Sequence, residues 1–283
     1  MGPLKRERAR PLRRRMLDVL LYVLAAYILL AGFALVFGER LMFQPPPAGY
    51  DRSAEIIELT AADGVRIAAV WLPNPDAEFA VLYSHGNAED LGAIMPVLRA
   101  LRDLGVAVLA YDYRGYGMSE GRPSVDGALL DQDAAFAHLT GTLGFPPWRI
   151  IAWGRSIGGG PATALAAREP LAGLVLESSF ISAFRVVTRW PMLPRDRFRN
   201  LALLRAVRCP VLVIHGRRDA IVPFYHGRAL YRAASEPKRY LWVDGAGHND
   251  VWQVAGESYE HAVRDFLALL RERQGEGGST TSS

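Results

Sequence analysis

The stretch 149–164, RIIAWGRSIGGGPATA, constrains the fold of this chain more than any other. Its opening residues form an apolar run typical of a buried strand, and an Ala-rich helical pattern begins at Gly158. Ser156 lies at the corner, flanked by Gly154 and Gly158 in the frame G-x-S-x-G. A strand that turns directly into a helix strains the corner residue and leaves no room for side chains beside it, which accounts for both glycines. The frame predicts a serine hydroxyl held out at a strand end, beside the Ile157 N–H and the positive end of a helix dipole.

Apolar runs and helical patterns alternate on both sides of this corner. The predicted strands are 56–60, 65–71, 79–83, 106–111, 150–153, 171–176, 211–214 and 239–243. The predicted helices are 91–104, 124–143, the stretch from Gly158, 224–234 and 257–273. Alternation of this kind predicts an α/β fold with a mostly parallel central sheet, helices on both faces and an antiparallel opening pair around the Asp63-Gly64 turn. Ligands of such sheets bind beyond the carboxyl ends of the strands.

The charge distribution argues against a nucleic-acid partner. The formal net charge is +4, but residues 1–40 hold eight of the 33 basic and three of the 29 acidic residues. The remainder, with 25 basic and 26 acidic residues, is nearly neutral, so no basic binding face is predicted. Cys209 is the single cysteine, which excludes an internal disulfide and a cysteine metal cluster. No nucleotide motif is present, and we expect neither a metal nor another cofactor.

The amino-terminal segment predicts a membrane anchor. Seven basic residues crowd 1–15, and 19–38 then runs without a charge for the length that a helix needs to cross a hydrocarbon core. Because basic residues stay on the cytoplasmic side, we expect the later domain to be extracytoplasmic, and periplasmic in a bacterium. A cleaved secretory signal with a small-residue exit at 32–34 is the alternative. The predicted segments are a basic cytoplasmic tail (1–15), a transmembrane helix (16–38), a Pro-rich linker (39–50), a catalytic domain (51–273) and a disordered tail (274–283).

Three polar residues predict nucleophilic catalysis. A serine hydroxyl is a weak nucleophile unless a base takes its proton, and a carboxylate behind the base steadies the resulting charge. His248 is the predicted base, because it lies in the Gly-rich loop DGAGHND after the last strand. Asp219 follows the preceding strand and is the predicted acid, with Glu177 as the alternative. His85 and His215 are predicted to shape loops.

The attacked carbonyl oxygen gains negative charge, so the site also needs N–H donors that form an oxyanion hole. The Ile157 amide is the first predicted donor. We expect the second donor in the loop after the third predicted strand, and we assign it to the Asn87 amide.

Six sequence blocks carry a resemblance to a known family. They are HGNAEDLG from His85, YDYRGYGMSEGRPS from Tyr111, GRSIGGGPA from Gly154, ESSF from Glu177, HGRRDAIVP from His215 and GAGHND from Gly245. Together they resemble the α/β-hydrolases, in particular the single-pass group that includes eukaryotic membrane-associated protein depalmitoylases and their bacterial relatives. The resemblance implies an acyl-ester or thioester hydrolase, with Ser156, Asp219 and His248 as the triad and Asn87 with Ile157 at the oxyanion hole. The depalmitoylases use cysteine-rich acylated ends, whereas this chain has a predicted transmembrane anchor.

The segment 178–208 is predicted to form a small lid or an ordinary connecting segment. In the first interpretation Phe180, Trp190 and Met192 line an acyl pocket, and the arginines of the segment face anionic headgroups. In the second the arginines lie in water.

These features predict a membrane-anchored serine hydrolase that cleaves a small acyl or lipid-like ester or thioester through an acyl-enzyme. An aminopeptidase-like peptidase of the same fold and a non-catalytic membrane scaffold are the alternatives.

Overall fold

Eight strands form one sheet in the computed structural model, which describes residues 12–51, 55–188 and 196–279. The strands are β1 (Ile56–Thr60), β2 (Arg66–Leu72), β3 (Ala80–Ser84), β4 (Ala107–Tyr111), β5 (Ile150–Arg155), β6 (Gly173–Glu177), β7 (Val211–Gly216) and β8 (Lys238–Val243). Their order across the sheet is β1-β2-β4-β3-β5-β6-β7-β8. The pairs β1/β2 and β2/β4 are antiparallel, and all the others are parallel. The predicted mostly parallel α/β sheet is confirmed.

Helices follow most strands and return the chain for the next parallel strand. The α-helices are α1 (Leu12–Met42), α2 (Leu91–Asp103), α3 (Val125–Ala137), α4 (Gly159–Arg168), α5 (Arg185–Thr188), α6 (Asn200–Leu203), α7 (Tyr225–Ala233), α8 (Val251–Ala255) and α9 (Glu257–Ser279). Asp90 and Ser124 cap α2 and α3, because each side chain accepts a backbone N–H of the first turn. A π-helical turn (His138–Thr142) extends α3 close to its predicted end.

The sheet separates two apolar cores. Alternate residues of each strand point to opposite faces, so Leu82 of β3 joins one core and Tyr83 the other. The first core contains buried residues of α3, α4 and α7, and the second contains those of α2, α8 and α9. Because helices cover both faces of the sheet, its strands can be apolar throughout, and the polar residues are concentrated in the loops at the strand ends.

The carboxyl end of the chain differs from the prediction. The helix α9 continues to Ser279, so 274–279 is helical and not part of a disordered tail. Gln274 contributes to this extension, because its Nε2 donates to the Trp148 carbonyl at 2.6 Å. Residues 280–283 lie outside the described part of the chain. The short helix α8, just after the Gly-rich loop, was not predicted.

The helix α1 is long and apolar enough to span a membrane. It is longer than the predicted anchor 16–38 at both ends, so the first residues of the predicted linker are helical. Phe43, the first residue of that linker after α1, packs on the domain. Phe43 is 5% exposed, and its ring meets those of Tyr113, Tyr116 and Phe198 edge-on at 6.4–6.5 Å. Burial of this aromatic ring attaches the chain just after α1 to the domain.

The described part of the segment 178–208 contains only the short helices α5 and α6. It contacts the end of α1, because a Cβ atom on Gly38 would lie 3.2 Å from the Phe184 ring. Arg197 and Glu39 form an ion pair at 3.3 Å. These contacts place the segment beside the point where the apolar run of α1 ends.

Candidate active site

Ser156 lies at the sharp turn between β5 and α4. Its φ of 52° is in the left-handed region that residues other than glycine rarely adopt. A Cβ atom on Gly154 would lie 2.4 Å from the Gly158 carbonyl oxygen, and one on Gly158 would lie 2.0 Å from the Ser84 carbonyl oxygen. Close backbone approaches therefore require both glycines, and the turn presents the serine at the carboxyl edge of the sheet.

The His248 side chain lies between this serine and an aspartate. Its Nε2 atom is 3.0 Å from Ser156 Oγ, and its Nδ1 atom is 2.7 Å from Asp219 Oδ2. The exposed fraction is 8% for the His248 side chain and 0% for that of Asp219, so the carboxylate is shielded from water behind the imidazole. When Nδ1 donates to the carboxylate, the lone pair on Nε2 faces the serine hydroxyl.

Adjacent strands bring Asp219 and His248 together. They lie in the loops after β7 and β8, which pair in parallel at the edge of the sheet. A Cβ atom on Gly216, the last residue of β7, would lie 2.3 Å from the Gly247 carbonyl oxygen. The two loops therefore pack backbone against backbone, and the absence of a side chain at Gly216 is a steric requirement of the site.

The Asp219 carboxylate is held in its ionised form. Its Oδ1 accepts the N–H groups of Ile221 and Val222 at 2.9 and 2.7 Å, while its Oδ2 lies 3.4 Å from His215 Nε2 in addition to His248. Burial alone would raise the pKa of this carboxyl, but its hydrogen bonds with His215 and His248 outweigh burial and hold the pKa well below its usual range. The negative charge can therefore orient and stabilise a protonated imidazole.

The two predicted oxyanion donors lie on segments that pack together. The close approach of Gly158 to Ser84 places the exit loop of β3, which carries Asn87, against the turn that carries Ile157. Among the hydrogen bonds of loops and turns in the described residues, none has the Asn87 or the Ile157 N–H as its donor.

The Asn87 side chain is anchored by the segment that follows α1. Its Oδ1 accepts hydrogen bonds from Tyr116 Oη at 2.6 Å and from the Gln44 N–H at 2.8 Å. The segment just after α1 therefore contacts the loop that carries a predicted oxyanion donor.

The alternative acid, Glu177, has a different environment. Its Oε2 accepts from Tyr259 Oη at 2.7 Å and from Trp153 Nε1 at 3.3 Å. Burial raises the pKa of this carboxyl. The carboxylate that meets His248 is that of Asp219, and no contact between Glu177 and this histidine occurs among the described residues.

Of the three predicted pocket residues, Trp190 and Met192 lie outside the described residues. Phe180 is 5% exposed and belongs to the same apolar core as Ile157. In the part of the chain that the structure describes, no group of three or more His, Cys, Asp or Glu side chains is arranged to hold a metal ion.

The sequence analysis missed several residues that hold the loops of this site. Arg155 contacts Glu89, the His248 carbonyl and Asn249, and Tyr116 contacts Asn87. No periodicity marks these positions. The one available signal in the sequence was Arg155 itself, because a basic residue at the end of an apolar strand, next to the serine, is unusual.

Comparisons with known proteins agree with this fold. The profile of the family described as "Serine aminopeptidase, S33" matches residues 75–202. The alpha/beta hydrolase domain-containing protein aho-3 of Caenorhabditis elegans is 41% identical over 211 residues. These residues are 72% of this chain and 62% of that protein, so this chain spans less than two thirds of that relative. The alpha/beta hydrolase domain-containing protein 17B of Xenopus tropicalis is 39% identical, with 72% of each chain covered. An esterase of Pyrococcus furiosus has a similar fold, with a TM-score of 0.66, 24% identity, and coverage of 80% of this chain and 98% of the esterase. This chain therefore belongs to the alpha/beta hydrolase family.

Proposed function

We propose that this hydrolase is a membrane-anchored serine enzyme that cleaves an acyl ester or thioester through an acyl-enzyme intermediate. The observation that carries the proposal is the continuous arrangement of Ser156 Oγ, the His248 imidazole and the Asp219 carboxylate, at 3.0 and 2.7 Å. Such an arrangement activates a serine hydroxyl for attack on a carbonyl carbon.

The proposed reaction has two stages. In the first, Ser156 Oγ attacks the acyl carbon while His248 Nε2 takes the hydroxyl proton and then gives it to the leaving alcohol or thiol. The Asn87 and Ile157 amides stabilise the charge on the carbonyl oxygen. In the second stage His248 takes a proton from water as the water oxygen attacks the acyl carbon. His248 then returns that proton to Ser156 Oγ as the acyl–oxygen bond breaks, which releases the carboxylic acid and regenerates the serine hydroxyl.

The membrane location rests on α1 and its flanking charges. Lys5 and the arginines of 1–15 precede the apolar helix, so we place the amino terminus in the cytoplasm and the catalytic domain on the other side. The contacts of Phe43 and Phe184 with the domain and anchor support a site held near the lipid surface, where an acyl or lipid-like substrate is concentrated.

The test of the chemistry uses the full chain in detergent micelles with a series of p-nitrophenyl acyl esters and acyl thioesters. We expect turnover by the parent and a fall of about a million-fold in kcat for Ser156→Ala. A fluorophosphonate probe should label the parent and fail to label Ser156→Ala. Equal labelling of both proteins, or no turnover of any ester by folded parent protein, would contradict the proposal and favour a non-catalytic scaffold.

An aminopeptidase is the second candidate, because the matching family profile is described as a serine aminopeptidase. The same nucleophile would then attack an amide beside a free amino group. Assays of aminoacyl anilides beside the acyl esters separate the two functions. We expect the esters and thioesters to have the higher kcat/KM.

The proposed orientation is tested independently by reporter fusions. Alkaline phosphatase, which is active only outside the cytoplasm, should be active when fused after Ser283 and inactive when fused before Met1. The reverse pattern would place the catalytic domain in the cytoplasm.

A further inference from the structure

Arg155, the residue before the serine, is an unusual side chain for the end of a buried strand. It is 8% exposed, yet carries a guanidinium group that is always charged. A buried charge is costly unless several partners satisfy it, so its contacts indicate what it does. They reach two loops, both of which carry candidate active-site groups.

The first contact is with the loop that carries Asn87. Arg155 Nη1 donates to Glu89 Oε1, and the other carboxylate oxygen of Glu89 accepts the Gly86 N–H at 2.7 Å. A Cβ atom on Gly86 would lie 2.6 Å from Glu89 Oε2 and 2.8 Å from Arg155 Nη1, so the loop backbone is packed directly on this ion pair. The guanidinium thereby fixes the position of the residue before Asn87.

The second contact is with the loop that carries the imidazole. Arg155 Nη2 donates to the His248 backbone carbonyl at 3.2 Å and to Asn249 Oδ1 at 3.0 Å. Both bonds come from the nitrogen that the Glu89 contact does not use. One planar group therefore connects the proposed base with the loop of a proposed oxyanion donor.

A buried carboxylate holds the guanidinium from a third direction. Glu177 Oε1 lies 3.8 Å from Arg155 Nε, and Tyr259 and Trp153 in turn donate to Glu177. Lysine could supply the positive charge but not this geometry, because only the guanidinium fork directs several N–H groups along fixed diverging directions.

We propose that Arg155 is a positioning residue that sets the distance between the oxyanion amide of Asn87 and the imidazole of His248 around Ser156. This inference rests on the proposed hydrolase function and adds a residue to its machinery. Both loops must be correct at the same moment, because attack at the carbonyl carbon and proton transfer occur in one transition state.

The test compares Arg155→Lys with Arg114→Lys in the full chain in micelles. Arg114 is the matched control, since it is 7% exposed and pairs with Asp63 and Asp131, whose loop and helix carry no proposed catalytic group. Active sites are counted by fluorophosphonate labelling run to completion, so misfolded protein is excluded from kcat. We expect Arg155→Lys to lower kcat per site by about 100-fold with KM nearly unchanged, and Arg114→Lys to lower only the unfolding temperature.

Two further variants test separately the contacts that Arg155 makes with the two loops. Glu89→Gln weakens the oxyanion side and Asn249→Ala weakens the imidazole side, and we expect each to lower kcat less than Arg155→Lys does. Adding either change to Arg155→Lys should have a smaller effect than it has in the parent, because the contact is already lost. Unchanged kcat per site in Arg155→Lys, with active parent protein, would overturn the positioning role. Inactive folded parent protein would instead contradict the hydrolase function itself.

Discussion

Two histidine–aspartate pairs at the carboxyl edge of the sheet differ in what the histidine meets on its other side. They are the rim pair, His248 with Asp219, and the buried pair, His85 with Asp112. His215 also lies beside Asp219, but the rim pair is the one that reaches the serine. In the pair after β7 and β8, His248 contacts Asp219 with one nitrogen and Ser156 Oγ with the other. In the pair after β3 and β4, His85 Nε2 lies 3.3 Å from Asp112 Oδ1, and its Nδ1 lies 2.7 Å from the Gly86 carbonyl.

The protonation of the buried pair follows from its partners. The groups nearest the two nitrogens of His85 are both acceptors, which favours a proton on each nitrogen. Burial alone would lower the pKa of His85, but the Asp112 carboxylate and the Gly86 carbonyl outweigh it and raise the pKa. The side chain is fully buried and its Nδ1 meets a backbone carbonyl, so it holds a loop.

The comparison shows that a carboxylate behind a histidine does not make it a base. Proton transfer requires that one nitrogen faces a group with a proton to give, at hydrogen-bond distance. We therefore expect the rim pair to govern turnover and the buried pair to govern stability.

The largest expected effect is in the rim pair itself. His248→Ala removes the proposed base, so we expect kcat to fall about a million-fold. His85→Asn should leave far more turnover per folded site. The measurement is kcat per titrated site. Comparable losses of kcat in His248→Ala and His85→Asn would show that the two pairs do not differ in their roles.

The carboxylates should show the same contrast at a smaller scale. Asp219→Asn offers an amide to His248 Nδ1 and favours the wrong imidazole tautomer, with an expected fall in kcat of about 10,000-fold. Asp112→Asn should mainly lower the unfolding temperature. Steady-state kinetics and thermal unfolding of both proteins provide the measurement, and a small kinetic effect of Asp219→Asn would argue against its proposed role.

Two buried tyrosines sharpen the comparison further. Tyr116→Phe removes the hydroxyl that donates to Asn87 Oδ1, so we expect kcat to fall about tenfold, less than the loss of a whole oxyanion donor. Tyr113 Oη donates to the His85 carbonyl at 2.9 Å, and Tyr113→Phe is the matched control. It should affect unfolding more than turnover. Equal kinetic effects would show that the two positions are not separable.

The smallest expected effect is the pH dependence of stability. Because the folded-state pKa of His85 is raised, its stabilising contribution is complete below its unfolded pKa, about 6.5, and is lost as the pH rises through the folded value. The difference in unfolding free energy between the parent and His85→Asn should therefore shrink on the alkaline side. Denaturant unfolding in micelles at a series of pH values measures it, and a constant difference would refute a charged His85.

Much of the fold could be predicted because its signals are local. Apolar runs marked the strands of the confirmed sheet, and two glycines around Ser156 predicted the sharp turn before α4. The extension of α9 could not be predicted from a Gly/Ser-rich end, because it involves a contact with Trp148, far away in the chain. The packing of Phe43 on the domain could not be predicted either, because it depends on three aromatic rings from other segments of the chain.

By itself the sequence determined the alternation of strands and helices, the apolar helix at the amino terminus and the turn at Ser156, because periodicity and backbone sterics act between neighbours in the chain. It proposed Ser156, Asp219 and His248 as partners, but three histidines follow strands and precede or follow glycines. Only the tertiary structure decided which imidazole meets the hydroxyl and that Arg155 joins the loops on either side. The order of strands in the sheet sets these distances, and that order arises from packing between distant segments.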